Sequence, residues 1–319
     1  MNDGAGAGPG HPDNAAVSTT HRADPALPTL ALTACDCAFV IECPDDETAT
    51  LLDVVFGALL IPSPAGRSTV SASLRIERGG QERGYRIRDV NAGSTPIADA
   101  DALLFHVDKW LTIALQRRRP ELYFVHAAAV ADGNRVAVLA APPTTGKSTL
   151  TLALLERGLA YLSDELAPID LPTRRVYPYA RAVSLKSTPP DPVRLPSATL
   201  AVGRRFHIPA RLFSTDSVGT PLPLVAFIFL RRRLGTGPCS TRIGAAAGAA
   251  HLAANALNAL AHHNAGLDVA VRLAQSVPCF EMNTSDLGAA CDEVSNILAA
   301  PLTSRPRACE PRAPGPTPG

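Results

Sequence analysis

The apolar positions of this chain change period part-way along it, and the change divides the sequence. Val70, Ala72, Leu74 and Ile76 alternate with Ser71, Ser73, Arg75 and Glu77, the two-residue period of a strand with one buried face. Gly79-Gly80 offers a turn, and Tyr85, Ile87 and Val90 a return strand. The period then lengthens. In "DADALLFHVDKWLTIALQRRR", Leu104, Val107, Leu111 and Ala114 fall three or four apart and predict a helix. Arg117, Arg118 and Arg119 stand at its C-terminal end, where cations complement the helix dipole.

From Tyr123 the pattern becomes strand, loop, helix, strand. "YFVHAAAV" and "RVAVLA" are apolar runs, the second entered through a turn at Asp132-Gly133-Asn134. "STLTLALLER" reads as helix with Gly158 placed to stop it, and "LAYLS" as a buried strand. "PLVAFIFL" predicts a later core strand ending at Arg231, Arg232 and Arg233. "GAAAGAAHLAANALNALAHHN" predicts an Ala-rich helix with His251, His262 and His263 on its surface. Residues 1–28 are rich in Gly, Ala, Pro and Asp and predict disorder, and 300–319 a Pro-rich tail. Between them lie a β-rich region with a linking helix, 29–119, and an α/β domain, 120–299.

Composition narrows the function classes. Lys plus Arg total 30 against 29 Asp plus Glu, a net charge of +1, which gives no electrostatic footprint for nucleic acid or an anionic membrane. No apolar run is long enough to span a bilayer, and no basic start precedes an apolar run, so a cytoplasmic, reduced protein is expected. The seven cysteines lack disulfide-framework spacing. Cys35, Cys37 and Cys43 have no second paired cluster to complete a metal site, and Cys35 and Cys37 are expected on one side of a strand.

The chemistry concentrates in "VAVLAAPPTTGKSTLTLALLERG", a strand, a short loop and a helix. A phosphate cradle needs this order, because backbone N–H groups and the helix N-terminus then converge on the anion. A lysine reaches the terminal phosphates and a hydroxyl joins the Mg²⁺ shell. Here Lys147 and Ser148 supply those groups, and Thr144, Thr145, Gly146 and Thr149 supply N–H donors. Ala141 stands where the pattern has its first glycine, which requires that the exit turn keep a negative φ. In "YLSDE", Asp164 follows Lys147 by seventeen positions on the next predicted strand. If the two strands are adjacent and parallel, Asp164 and Glu165 face the phosphates.

His126 in "VHAAAV", the loop "APPTTGKSTL", "LERGLAYLSDE" and "VYPYARAVSLK" occur in an order and spacing that resembles HPr kinase/phosphorylase-like proteins. Within them the chain is most similar to the group called HPr kinase-related kinase A, through Arg181, Ser184, Leu185 and Lys186. The resemblance covers residues 120–297. It implies a P-loop core of the HPr kinase and phosphoenolpyruvate carboxykinase type, with 120–299 as the kinase domain. It implies ATP and Mg²⁺ as cofactors and phosphorylation of a serine hydroxyl. On that resemblance Asp164 matches the general base, and His126 a histidine near the transferring phosphoryl group. Ser148 and Glu165 match the Mg²⁺ side, and one of Arg231–Arg233 a phosphate-side arginine. The chain departs from the pattern at Ala141 and lacks a further acidic Mg²⁺ segment, which points away from HPr as acceptor. Related groups accompany systems that modify ribosomally made peptides, so a peptide or small carrier protein is the expected partner, with homo-oligomerisation also considered. The competing expectations are a non-catalytic nucleotide sensor or scaffold, and a small-molecule kinase.

Overall fold

The computed structural model describes residues 27–62, 70–79, 84–89, 93–213, 220–232 and 240–301. Most of the expected disordered head, the tail from residue 302, Gly80 and Val90 of the expected hairpin, Arg233, Cys239 and Cys309 lie outside them. The described chain is mixed α/β, with three sheets and six α-helices.

The first sheet holds β1 (Thr29–Ala34), β2 (Cys37–Glu42), β3 (Ala72–Arg78), β4 (Tyr85–Asp89) and β5 (Gly93–Ile97) in that order. Helix α1 (Asp46–Phe56) connects β2 to β3 and lets them pair in parallel; the other pairs are antiparallel. Leu74 and Ile76 are buried on β3, as the alternation predicts. Cys35 is not on a strand: with Asp36 it forms the β1–β2 turn, both at positive φ. Helix α2 (Ala100–Arg118) buries Leu104, Val107, Leu111 and Ala114. Its Asp99 cap accepts from Ala102 N at 2.8 Å. Arg119 does more than complement the helix dipole. Its guanidinium donates to the Cys35 carbonyl, pairs with Asp36 at 3.1 Å and lies over the Tyr177 ring, so it clamps the β1–β2 turn.

The central sheet begins with β6 (Tyr123–Val125), β7 (Ala127–Asp132) and β8 (Arg135–Ala140), followed by helix α3 (Lys147–Glu156). Then come β9 (Ala160–Ser163), β10 (Ala167–Asp170) and β11 (Arg175–Val176). A separate three-stranded sheet comprises β12 (Val183–Leu185), β13 (Leu200–Val202) and β14 (Arg205–Ile208). The chain returns to the central sheet through β15 (Leu222–Arg231) and β16 (Ser240–Ile243). Helices α4 (Ala245–Ala254) and α5 (Leu267–Ser276) then lead to β17 (Cys279–Asn283) and α6 (Leu287–Ala299).

The central order is β6-β10-β11-β15-β8-β7-β9, with β17 also on β15 and β16 on β17. This corrects one expectation. Strands β8 and β9 are not neighbours, because β7 lies between them and is antiparallel to both. Two antiparallel steps still make β8 and β9 run the same way, so their C-terminal ends share an edge with the start of β7. The run "YFVHAAAV" breaks at His126, where the chain leaves β6, paired to β10, for β7. The Ala-rich helix is also shorter than expected. It stops at Ala254, so His262 and His263 lie in irregular turns beyond it. His262 is partly buried, with Nε2 3.2 Å from the Leu122 carbonyl.

The core does not divide at residue 119. Leu103, Leu111 and Leu115 of α2 share one buried cluster with Phe39 and Ile41 of β2 and with Phe124, Leu166 and Tyr179. Five described cysteines, Cys35, Cys37, Cys43, Cys279 and Cys291, are buried and free. No helix among the described residues is long and apolar enough to cross a membrane.

Candidate active site

Strand β8 enters the loop through Ala141, which needs no positive φ: its methyl group packs into a core cluster with Ala128 and Leu150. The left-handed positions fall later, at Thr144 with φ 67° and Gly146 with φ 96°. The exit that the glycine pattern would serve is therefore built with alanine, and the unusual backbone angle passes to Thr144. Thr145 closes the turn by donating to the Pro142 carbonyl from N at 3.4 Å and from Oγ1 at 2.8 Å. Gly146 then precedes α3 without a side-chain cap, whereas Asp45, Asp99 and Asp286 cap α1, α2 and α6. The first N–H groups of α3, including that of Thr149, are left for another acceptor.

Lys147, Ser148 and Asp164 form one cluster. Ser148 Oγ donates to Asp164 Oδ2 at 2.8 Å, and Lys147 Nζ lies 3.3 Å from Oδ1 while donating to the Asp164 carbonyl. Asp164 is wholly buried. Glu165 points elsewhere: Oε1 is 3.1 Å from Arg181 Nη2, and Oε2 is 3.4 Å from His126 Nδ1. Burial pushes the Glu165 carboxyl upward, but the charges of Arg181, Lys147 and His126 hold it below the usual range. Burial, and then the Lys147 ammonium, lower the His126 pKa against the pull of Glu165. The shift favours the neutral ring, and a neutral ring with its proton on Nδ1, toward Glu165, would leave Nε2 as an acceptor.

The pattern left two partners unassigned. Arg181 is buried, donates from Nη1 to the Ala182 carbonyl at 3.1 Å, and places Nε 3.4 Å from Asp108 Oδ1 on α2. Tyr179 also donates to Asp108 Oδ1, at 3.0 Å. Burial raises the Asp108 pKa, opposed by Arg181. Asp108 had a signal in the sequence: it sits on the stripe of Leu104, Val107 and Leu111, an acid on an apolar helix face. Nearby, Ser184 Oγ and both ring nitrogens of His207 are buried without hydrogen-bond partners among the described residues.

A cleft of about 540 Å³ opens beside the loop, lined by His126, Pro142, Phe229, Arg231, His251 and Asn255 among others. His251 corrects its surface assignment. Its ring stacks on Phe229 at 4.5 Å and reaches Glu281 at 2.9 Å. Arg231 is held by the same Glu281 oxygen at 2.6 Å, while Arg232 lines the opening at Thr144 and Thr145.

Among the described residues no group of three or more His, Cys, Asp or Glu side chains forms a metal cage. A nucleotide-bound Mg²⁺ does not require one, since it takes one or two protein oxygens, phosphates and waters. The Ser148 hydroxyl and Asp164 carboxylate, 2.8 Å apart beside Lys147, are hard oxygen donors of that kind.

No protein-family model matches the chain, and no curated protein sequence matches it. Among solved structures, the Hpr(Ser) kinase/phosphatase from Coxiella burnetii is similar over 54% of this chain and 94% of its own. The identity is 12% and the TM-score 0.31. A likeness that distant carries no argument about activity or substrate.

Proposed function

We propose that the chain binds Mg·ATP at the loop and transfers the terminal phosphoryl group to a serine hydroxyl on a peptide or small protein. The observation that carries this is the hydrogen-bonded meeting of Lys147, Ser148 and Asp164 at the start of an uncapped helix, with the His126–Glu165 pair beside it. Lys147 and the N–H groups from Thr144 to Thr149 would bind the phosphates. Ser148 and Asp164 would hold the Mg²⁺, which supplies charge neutralisation on the transferring group.

The geometry favours a division of labour different from the one the resemblance implies. Asp164 is enclosed and engaged on both oxygens, whereas His126 is partly exposed and lines the cleft. In this reading the acceptor oxygen forms a bond to the terminal phosphorus while the bond to the bridging oxygen of ADP breaks. His126 Nε2 accepts the hydroxyl proton, and Glu165 orients the ring and offsets the imidazolium charge that forms. The proton then passes to solvent.

Three variants test this. Lys147→Ala should abolish ATP binding measured by calorimetry. Asp164→Asn should remove the tightening of ATP binding by Mg²⁺. His126→Ala should keep Mg·ATP binding within about threefold and lose at least about 100-fold in phosphopeptide formation, the lower end of what a general base contributes. ATP binding that depends on Lys147, with no transfer to any hydroxyl peptide, would support the nucleotide sensor instead. Unchanged transfer in His126→Ala would return the proton to Asp164.

A further inference from the structure

Arg181 presents one edge of its guanidinium to two carboxylates at once. Nε and Nη2 form the side of an arginine that grips a single carboxylate in a two-point fork. Here Nη2 meets Glu165 Oε1 at 3.1 Å, while Nε faces Asp108 Oδ1 at 3.4 Å. The Nε contact is a charge contact, because no hydrogen-bond acceptor among the described residues meets that N–H. Splitting the fork leaves Glu165 Oε2 free to face His126 Nδ1 at 3.4 Å. Arg181 is otherwise fixed: Tyr161 donates to its carbonyl at 2.8 Å, and Tyr179 steadies Asp108 at 3.0 Å.

We infer that Asp108 is a positioning residue for the proposed transfer, which makes helix α2 part of the catalytic apparatus. Asp108 stands 3.4 Å from Nε of Arg181, and its charge there keeps Glu165 from closing on the arginine with both oxygens. If Asp108 loses its charge, Glu165 can rotate into the two-point grip. Oε2 then leaves His126, and the imidazole loses the group that fixes its tautomer and aim. Asp108 itself touches neither phosphate nor acceptor in this account. This also gives the β-rich region that precedes residue 120 a task, since α2 is anchored in its core through Leu103, Leu104 and Leu111. The inference rests on the proposal that His126 takes the acceptor proton.

The experiment compares Asp108→Asn and Asp108→Glu with the full chain. In Asp108→Asn, kcat for phosphopeptide formation should fall at least tenfold, with KM for ATP and calorimetric Mg·ATP affinity within twofold. The nitrogen NMR signals of His126 should lose the single-tautomer signature of the unchanged protein. Asp108→Glu should recover at least a third of kcat and that signature. Tyr179→Phe, which frees Asp108 without removing charge, should show the same kcat-only effect at two- to fivefold, and keeps the question testable if Asp108→Asn folds poorly. Equal losses in kcat and Mg·ATP affinity, or an unchanged His126 spectrum, would overturn the positioning role. Because the NMR readout needs no turnover, an altered spectrum in a protein that never transfers phosphate would sink the kinase proposal and leave the Asp108 geometry standing.

Discussion

Replacing Arg181 by methionine tests the buried charge network most directly. Methionine keeps most of the side chain's volume but removes the guanidinium that lies between Glu165 and Asp108. Removing one partner of a buried ion pair costs about 3–5 kcal/mol, because the remaining charge is stranded. Both carboxylates retain some contact with water, with 29% and 26% of their side-chain surfaces exposed, which places the loss near the lower end, about 3 kcal/mol. At about 1.5–2 °C per kcal/mol for a chain of 319 residues, the melting temperature should fall by roughly 4–6 °C. The pH dependence supplies a sign. In the unchanged protein Glu165 has a lowered pKa, so its contribution is present above the unfolded value and lost as pH falls through the folded one. Asp108, raised by burial, acts in the opposite sense: its contribution is present at low pH and lost as pH rises. Without Arg181 both carboxylates move upward. The stability difference should be largest near pH 7 and shrink as pH falls, first through the raised values of the variant and then through the lowered Glu165 value of the unchanged protein. Thermal melts of both proteins across that range measure it. A loss below about 1 kcal/mol, or one that does not change with pH, would refute a buried, charge-determined network.

Other outcomes follow from single sites. His207→Leu removes a buried ring whose nitrogens lack hydrogen-bond partners among the described residues, so it should be neutral or raise stability by about 1 kcal/mol in denaturant unfolding. Gly248→Ala should cost about 1–3 kcal/mol in the same measurement, because the added Cβ would lie 2.6 Å from Cys279 Sγ between α4 and β17. In a pH profile of kcat/KM, the acid limb should lie below the usual imidazole value of about 6.5, since burial and Lys147 lower the His126 pKa. A limb above that value would point to a different base.

The alternation in β3 and the three- and four-residue spacing in α2 were legible because each is a local consequence of one buried face. The strand, loop and helix around Lys147 were legible for the same reason. The shortened Ala-rich helix was not: residues beyond Ala254 keep helical composition but are drawn into contacts such as Leu257 N to the Phe124 carbonyl. Arg119 looked like a helix-end cation because its turn partners, Cys35 and Asp36, lie more than eighty residues earlier.

By itself the sequence determined the periodicities, the loop with its lysine and hydroxyl, and the acid pair seventeen residues later. It also required Ala141 to avoid a positive φ, and the fold meets this by burying its methyl and moving the left-handed angle to Thr144. Only the tertiary structure decided that β7 separates β8 from β9, so that Ser148, Asp164 and His126 meet at one sheet edge. It alone turned Glu165 to Arg181 and His126, and brought Asp108 from a helix more than fifty residues earlier onto the same arginine. Hydrophobic period is written between near neighbours, whereas the partner of a buried charge is set by which distant elements pack together.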